Sequence, residues 1–296
     1  MDRRGRVKSI IFMGTGTSGC IPNIPCITSN NPKCKVCKRS LTAAGAKNRR
    51  RNTALLLCVE HPDGRQRNIL IDCGKTFYAS AVDVFVKHDI KTIDAVILTH
   101  GHADAMLGLD DLRQWTARQA APVPVFCDRD TLRNVAGAFP YLVDTAKATG
   151  SGYVPQLEFC LIEEPFAPFV CEGIEFQPLR VEHGACSDGT TFYCNGFRFG
   201  SVSYISDCSH IPDATRPLIE GTDLLILDAL QWAPSSSHFG YYQALDEVRY
   251  FSPRRTLLTG FCHRMDHAEM ERQADALQEK EGLSFKPAFD GLEVSL

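Results

Sequence analysis

Apolar and polar positions along this chain form two kinds of block. Short apolar runs rich in β-branched residues predict buried strands, and the longer stretches between them predict helices. Because the two kinds alternate, the pattern predicts an α/β chain whose sheets are covered by helices. The predicted strands are Ser9–Met13, Thr53–Val59, Asn68–Asp72, Ala95–Thr99, Val123–Cys127, Ile174–Val181, Ser203–Ser206, Leu224–Asp228 and Thr256–Thr259. The predicted helices are Phe77–His88, Asp104–Gln119, Asp128–Phe139, Tyr242–Phe251 and Ala268–Lys280.

Turn signals add hairpins to this picture. Pro62-Asp63-Gly64 lies between two apolar runs, and Asn195-Gly196 is a second turn signal. Hairpins are antiparallel, so the sheets are expected to be mixed. No repeat or low-complexity linker divides the 296 residues. We therefore expect one domain over 1–296, with a cysteine-containing loop at about 20–40.

Composition and charge argue against some binding partners and cellular locations. The chain is 44% hydrophobic with a net charge of -3, which gives no argument for broad attraction to nucleic acid or anionic lipid. The apolar segment near the N-terminus, Ile10 to Met13, is too short for a signal-peptide core, and no apolar run could span a bilayer. These features predict a soluble cytoplasmic protein that makes no membrane contact.

Cysteine is abundant, with thirteen residues. Most lie singly in apolar strands, as Cys58 and Cys127 do, where a free thiol behaves as a small hydrophobe. The odd total and the absence of an export signal oppose a disulfide framework. The pair with metal-like spacing is Cys34 and Cys37, which could equally be reduced surface cysteines or a redox motif.

Histidine or aspartate follows several predicted strands at the carboxyl end. Such a residue alone is more often a cap or turn residue than a ligand. Five in one chain are harder to dismiss, because loops at strand carboxyl ends converge on a crevice in α/β proteins. These residues are His100, His183, Asp207, Asp228 and His263.

The segment His100-Gly101-His102-Ala103-Asp104 is the most informative. Residues i and i+2 of an extended segment point the same way, so both imidazoles can reach one ion. Asp104 follows at the start of the next helix, as a cap or a ligand. Imidazole with carboxylate favours zinc over iron or manganese. Three protein ligands and an open position would make a catalytic site, in which a bound water ionises near neutral pH.

Taken together, the motifs resemble the metallo-β-lactamase superfamily, over roughly Ser9 to Val294. Within it they are similar to the branch that includes the phosphoribosyl cyclic phosphate phosphodiesterase of phosphonate breakdown, and more distantly to tRNase Z. The resemblance implies a four-layer αββα sandwich with two mixed sheets. The motifs that carry it are MGTGTSGCIPNIPC, PKCKVC, ILIDCG, LTHGHADAMLGLDDLR, VEHG, YISDCS, SSSHFG and GFCHRMDH.

The resemblance also implies a metal ligand set. His100, His102 and His183 would bind one metal, and Asp207 would bridge two. Asp104 would bind the second metal and help to orient the attacking water, a zinc-bound hydroxide.

His238, in the SSSHFG motif, would meet the substrate phosphate and protonate the leaving oxygen. Two positions depart from the family pattern, because Ala105 and Gly260 stand where relatives have histidine. Both missing histidines would be ligands of the second metal. Three outcomes are open: one zinc only, a second metal with a substitute ligand such as His267, or a second metal held weakly.

A separate structural zinc is implied by the same resemblance. Cys34 and Cys37 would be joined by Cys26 or Cys20 and by a histidine of the late motif, which aligns with His263. That role would remove His263 from the active site.

The function that these features favour is hydrolysis of a small or cyclic phosphodiester by a zinc enzyme, with a second copy of the chain as a candidate partner. The alternatives are a tRNase Z-like nuclease, another ester or thioester hydrolase, and a non-catalytic zinc-binding protein. The nuclease is less favoured because no basic RNA-gripping arm is evident. A flavin-linked iron oxidoreductase is disfavoured, because such relatives need glutamate at the position of His102.

Overall fold

A computed structural model describes residues 5–30, 33–117, 119, 121–150 and 152–296. The chain divides into two units. The first contains Met1–Met13, Ala54–Phe176 and Gly291–Leu296, and the second contains Gly14–Thr53 and Gln177–Asp290. The single domain expected from the sequence stays a prediction. None of the helices in the described ranges combines the length and apolar character that crossing a membrane requires.

The first sheet is mixed. Its strands lie in the order β14-β1-β2-β3-β4-β5-β6. Strands β2 and β3 are antiparallel and are joined through the predicted Pro62-Asp63-Gly64 turn, whereas β3 to β6 are parallel. The strands are β1 (Arg6–Gly14), β2 (Ala54–Glu60), β3 (Gln66–Ile71), β4 (Ala95–Ile97), β5 (Val123–Cys127), β6 (Leu157–Leu161) and β14 (Glu293–Ser295).

Helices of the first unit follow the strands along the chain. Helix α3 was predicted correctly from the sequence, and its buried Phe77 and Val84 pack with Leu56, Leu70 and Val96 of the sheet. Burying side chains of this size is the main favourable term in folding, at roughly 1.5–3 kcal/mol each. The helices are α3 (Phe77–His88), α4 (Ala103–Met106), α5 (Arg113–Thr116), α6 (Arg129–Ala138) and α7 (Pro140–Val143), with 3₁₀ turns at Leu109–Leu112 and Thr145–Lys147.

The second sheet is also mixed. Its order is β13-β12-β11-β10-β9-β8-β7. Strands β10 to β13 are parallel, and β9 and β7 run antiparallel to β10 and β8, respectively. The strands are β7 (Phe169–Cys171), β8 (Ile174–Ala185), β9 (Thr191–Phe199), β10 (Val202–Ile205), β11 (Leu224–Asp228), β12 (Arg255–Thr259) and β13 (Phe285–Pro287).

The two longest helices of the second unit, α9 (Tyr241–Phe251) and α10 (His267–Glu281), cover its parallel strands. Leu225 and Leu258 of β11 and β12 pack with Leu245 and Met270 of these helices. The parallel arrangement brings the carboxyl ends of β10, β11 and β12 to one edge of the sheet. The helices are α1 (Ile24–Thr28), α2 (Lys35–Ser40), α8 (Arg216–Ile219), α9 (Tyr241–Phe251) and α10 (His267–Glu281), with a 3₁₀ helix at Ala43–Asn48.

Two sequence predictions of local structure were wrong. The helix predicted over Asp104–Gln119 is broken after Met106, because the Gly108 N–H donates to Cys73 O and leaves the helical ladder. The turn predicted at Asn195-Gly196 lies inside β9, whose ladder with β10 pairs the next residue, Phe197, with Tyr204. In both cases a tertiary contact overrides the local signal.

A glycine-to-alanine substitution tests the placement of helix α6 in the first unit. Gly137 lies near the end of α6, and a Cβ there would meet nothing within 4 Å. Gly137→Ala should raise the free energy of unfolding by about 0.5 kcal/mol, because alanine loses less backbone entropy on folding. The matched control is Gly74→Ala, whose Cβ would lie 1.7 Å from Asp104 O and should destabilise. Denaturant titration measures both, and a decrease for Gly137→Ala would contradict the expectation.

Candidate metal centres

The first unit presents two histidines just beyond the end of β4. His100 is buried and His102, at the N-cap of α4, is exposed. Their ring centroids lie 4.5 Å apart. Asp104 follows in the first turn of α4 and is partly exposed. The extended path between the two histidines therefore brings both imidazoles together, as the spacing predicted.

A hydrogen-bonded relay fixes the orientation of His100. The Thr99 backbone N–H donates to Asp72 Oδ1 over 2.8 Å, and the Thr99 hydroxyl donates to Asp72 Oδ2 over 2.9 Å. Thr99 Oγ1 also lies 2.8 Å from His100 Nδ1. Since the hydroxyl proton is committed to the carboxylate, Thr99 accepts the Nδ1 proton of His100. This tautomer makes Nε2 the ligand atom of His100.

The second unit brings three more functional side chains together. His183 lies in β8, Asp207 follows β10, and His238 lies in the loop before α9. One ligand atom from each residue lies within 4.8 Å of the other two. The three residues lie in strand β8, after β10 and before α9, so the cluster depends on the fold rather than on local sequence.

Backbone and ring contacts hold His183 in this cluster. Its Nδ1 lies 2.6 Å from Ser237 O, to which it donates a hydrogen bond, so Nε2 is the atom left for a ligand. The rings of His183 and His238 are 4.8 Å apart at their centroids.

His238 is paired with a buried carboxylate. Its Nδ1 lies 2.8 Å from Asp228 Oδ2 and 3.9 Å from Asp207 Oδ1. Asp228 is fully buried at the end of β11, and the Cys208 N–H also donates to its Oδ2. Burial raises the pKa of Asp228, and the neighbouring His238 opposes that rise. Because Asp228 accepts the Nδ1 proton, Nε2 of His238 is the atom available for chemistry.

The sequence identified Asp228 as a strand-end aspartate but assigned it no role. The available signal was weak: an acidic residue that ends the LLILD strand ten residues before the candidate acid.

The position of Asp228 explains why residue 260 is a glycine. Gly260 has a φ of +77°, and a Cβ at that residue would lie 2.2 Å from Asp228 Oδ1. A side chain at position 260 is therefore incompatible with this placement of the carboxylate. Ala105 is buried in α4. Neither residue can act as a ligand, as the sequence predicted.

His267, the substitute ligand considered from the sequence, is engaged elsewhere. It begins α10, is buried, and its Nε2 lies 3.3 Å from Glu271 Oε1. Burial lowers the pKa of His267 to about 4. Among the described residues, no cluster with metal-binding geometry contains it.

A second cluster with metal-binding geometry contains Cys26, Cys34, Cys37 and His263, with one ligand atom of each within 4.8 Å of the others. His263 Nδ1 lies 3.1 Å from Cys26 Sγ and 3.7 Å from Cys34 Sγ. Of the two cysteines considered from the sequence as third ligand, Cys26 is therefore the one in place. Cys20 instead lies 3.3 Å from Asn52 Nδ2.

Backbone N–H groups donate to two of the three sulfurs in this cluster. Cys34 caps α2, and its sulfur accepts the backbone N–H of Cys37. The Cys37 sulfur accepts the Asn23 N–H over 3.3 Å. Burial raises the pKa of the Cys37 thiol to about 12, so a bound cation is needed to hold it as thiolate. Three sulfurs and one imidazole without an open position are the donor set of structural zinc.

Comparison with known proteins gives one family and one curated relative. The family model described as "Beta-lactamase superfamily domain" matches residues 67–261. A protein named octanoyltransferase, from Porphyromonas gingivalis, is 26% identical over 264 residues, which cover 89% of this chain and 47% of that protein. The chain thus spans about half the length of this curated relative.

Similar solved structures support the fold. The crystal structure of a new diphosphatase from the PhnP family is 29% identical, covers 99% of this chain and 98% of its own, and has a TM-score of 0.78. Zinc-bound PqqB from Methylobacterium extorquens is 16% identical, covering 97% and 100%, with a TM-score of 0.72. The short form of human tRNase Z is 17% identical, covering 97% and 98%, with a TM-score of 0.60. The last two show the fold alone, and all three confirm the fold class predicted from the sequence.

A cysteine substitution tests the sulfur-rich cluster. Cys34→Ser should lower the zinc content by one equivalent and lower the melting temperature, because a structural metal contributes binding free energy to the folded state. The control is Cys20→Ser, since Cys20 lies in the same loop but outside the cluster. Elemental analysis and thermal unfolding measure the two effects. Unchanged zinc content in Cys34→Ser would rule out this site.

Proposed function

The chain belongs to the beta-lactamase superfamily domain family and has the metallo-β-lactamase fold, and from that premise we propose that it is a hydrolase that cleaves a small or cyclic phosphodiester. The observation that carries the proposal is the hydrogen bond from His238 to Asp228 beside Asp207 and His183. It gives a histidine with a fixed tautomer next to candidate metal ligands, an arrangement that suits general-acid and metal-assisted cleavage of a phosphate ester.

The proposed ligands of one metal are His100, His102 and His183, with Asp207 as a bridging ligand and Asp104 as a ligand of a second metal. Support comes from the contacts inside each unit. Thr99 sets the tautomer of His100, and Ser237 O sets that of His183, so that both present Nε2. Imidazole with carboxylate is a donor set that zinc accepts, and manganese or iron are alternatives. When bound, the metal would supply Lewis-acid activation of water and of the phosphoryl oxygens.

In this proposal His238 is the general acid. Asp228 holds the Nδ1 proton and stabilises the imidazolium form, and Nε2 delivers a proton to the leaving oxygen. Asp207 Oδ1 lies 3.9 Å from the same Nδ1 atom, and the His183 ring lies 4.8 Å from the His238 ring at the centroids, so neighbouring side chains restrict movement of this imidazole.

A phosphoryl substrate is also supported by similarity. The PhnP-family structure, similar over 99% of this chain, is named a diphosphatase, so a diphosphate is the second substrate class to test. The tRNase Z-like nuclease, the ester or thioester hydrolase and the non-catalytic zinc protein are the outcomes that substrate assays would separate.

Leaving-group dependence tests the role of His238. On a phosphodiester with an alkoxide leaving group, His238→Ala should lower kcat by about 10²–10⁴, the usual worth of a positioned general acid. With p-nitrophenolate as the leaving group the loss should be much smaller, since that anion needs no proton. His210→Ala, at an exposed histidine, is the control. Equal losses on both substrates would show that His238 acts otherwise, for example in phosphate binding.

Metal counting tests the second active-site metal. We expect two tightly bound zinc equivalents per chain, one in the sulfur-rich cluster and one in the active site. The second active-site metal is expected to bind too weakly to be counted, because Ala105 and Gly260 provide no ligand. Ala105→His should raise the count to three by supplying an imidazole. Ala103→His is the matched control, because residues two apart on a helix face different directions. Three tightly bound equivalents in the unaltered protein would contradict the expectation.

A further inference from the structure

The loop that carries His238, residues 229–240, is closed at its base by backbone hydrogen bonds. The Leu230 N–H donates to Phe239 O over 3.0 Å, and the Tyr241 N–H donates to Gln231 O over 2.7 Å. We call residues 229–240 the His238 loop. Its tip is largely exposed from Ala233 to Ser236, so its conformation depends on this base.

The base of the His238 loop is bound to a second segment, residues 260–266, which we call the anchor segment. The Cys262 N–H donates to Leu230 O over 2.8 Å. Trp232 Nε1 donates to Arg264 O over 3.2 Å, and Arg264 Nη1 donates to Gln231 Oε1 over 3.2 Å. These contacts flank His263, so three consecutive residues of the loop base are fixed by the neighbours of a candidate zinc ligand.

The anchor segment is itself held from two sides. On one side, His263 belongs to the cluster with Cys26, Cys34 and Cys37. On the other, the buried guanidinium of Arg50 donates from Nη1 to Cys262 O over 3.2 Å and to Met265 O over 2.8 Å. The segment therefore has little freedom while both supports are in place.

Trp232 adds a packing contact to the same base. Its ring meets that of Tyr241, the first residue of α9, with centroids 4.9 Å apart. A substitution that removes the Nε1 hydrogen bond but keeps an aromatic ring would leave this ring contact in place. Its effect could then be attributed to the hydrogen bond rather than to packing.

We propose that the sulfur-rich cluster, through the anchor segment, positions the Asp228–His238 pair, with Trp232 and Arg264 as the positioning residues. The inference rests on the proposed role of His238 for its catalytic consequence only. Metal bound by Cys26, Cys34, Cys37 and His263 fixes the backbone on both sides of His263. The anchor segment transmits that order to the base of the His238 loop and hence to the imidazole.

The first experiment removes one hydrogen bond. Trp232→Phe keeps an aromatic ring against Tyr241 but loses the donor to Arg264 O. We expect kcat on the alkoxide substrate to fall about 10- to 100-fold, because small displacements of a catalytic group are costly, while KM stays close to its original value. Activity on the p-nitrophenyl substrate should fall little. The control is Trp115→Phe, at an aromatic residue packed against Phe77 and Phe85 of the first unit.

The second readout does not depend on activity. The His238 Nδ1 proton bonded to Asp228 should give a downfield proton resonance in NMR, identified by its absence in His238→Ala. This resonance should broaden or vanish in Trp232→Phe and in Arg264→Ala, and it should persist in Trp115→Phe. If it is unchanged in Trp232→Phe and Arg264→Ala, the anchor segment does not position His238.

Metal removal at the sulfur-rich cluster completes the test. In Cys34→Ser, one zinc equivalent and the His238 resonance should be lost together. A protein that loses this zinc but keeps the resonance would overturn the coupling. Should Cys34→Ser fail to fold, the two substitutions in the loop base still decide the question. A chain that cleaves no phosphodiester but shows the expected NMR changes would refute the proposed function and leave the positioning inference standing.

Discussion

The hydrogen bond between His238 Nδ1 and the buried carboxylate of Asp228 is the contact on which the arrangement of the candidate site in the second unit depends. A fully buried carboxylate is costly unless it is paired. Here His238 and the Cys208 N–H both meet Oδ2. The pairing offsets part of the cost of burial, and it also fixes the tautomer of His238. One interaction thus pairs the buried carboxylate at the end of β11 and leaves Nε2 of His238 as the atom for the proposed proton transfer.

Two clusters with metal-binding geometry differ in physical character, and the difference suits different tasks. Three sulfurs and His263 make a closed, soft donor set, with Cys37 fully buried. Such a set holds a loop in place and leaves no position for substrate. Imidazoles and carboxylates, in contrast, keep more of the metal's charge available to polarise a phosphate. In the proposed function, the sulfur-rich cluster, which includes His263, would hold a loop in place, whereas the imidazole and carboxylate residues would take part in catalysis.

Sequence patterns predicted the parts of the fold that local physics controls. Helix Phe77–His88 and the strands Val123–Cys127 and Leu224–Asp228 were predicted with their observed bounds, because burial periodicity and flanking breakers agree there. For the sulfur-rich cluster, the spacing of Cys34 and Cys37 predicted a pair, with Cys26 or Cys20 as the third member. His263 was predicted only through the family resemblance, because it is far from the cysteines along the chain.

The remaining features depend on contacts that no short window contains. The break after Met106 comes from a hydrogen bond to Cys73, a partner more than thirty residues earlier in the chain. The partnership of Asp228 with His238 requires a loop to return to the end of β11. The short strands Phe169–Cys171, Phe285–Pro287 and Glu293–Ser295 were not predicted, because three residues without a clear apolar run carry too little pattern. Local signals therefore located the candidate ligands, whereas the contacts that orient them required the structure.

Gly260 shows how these constraints interact. In the position it occupies, the Asp228 carboxylate fills the space next to the Gly260 Cα, so a ligand side chain at 260 would have to displace it. Displacing Asp228 would in turn release His238 from its fixed tautomer. The absence of a ligand at position 260 and the presence of a buried partner for His238 are therefore two consequences of one packing arrangement. A buried carboxylate that pairs with His238 therefore occupies the space that a side chain at position 260 would need, and the proton transfer proposed for His238 does not require a ligand at that position.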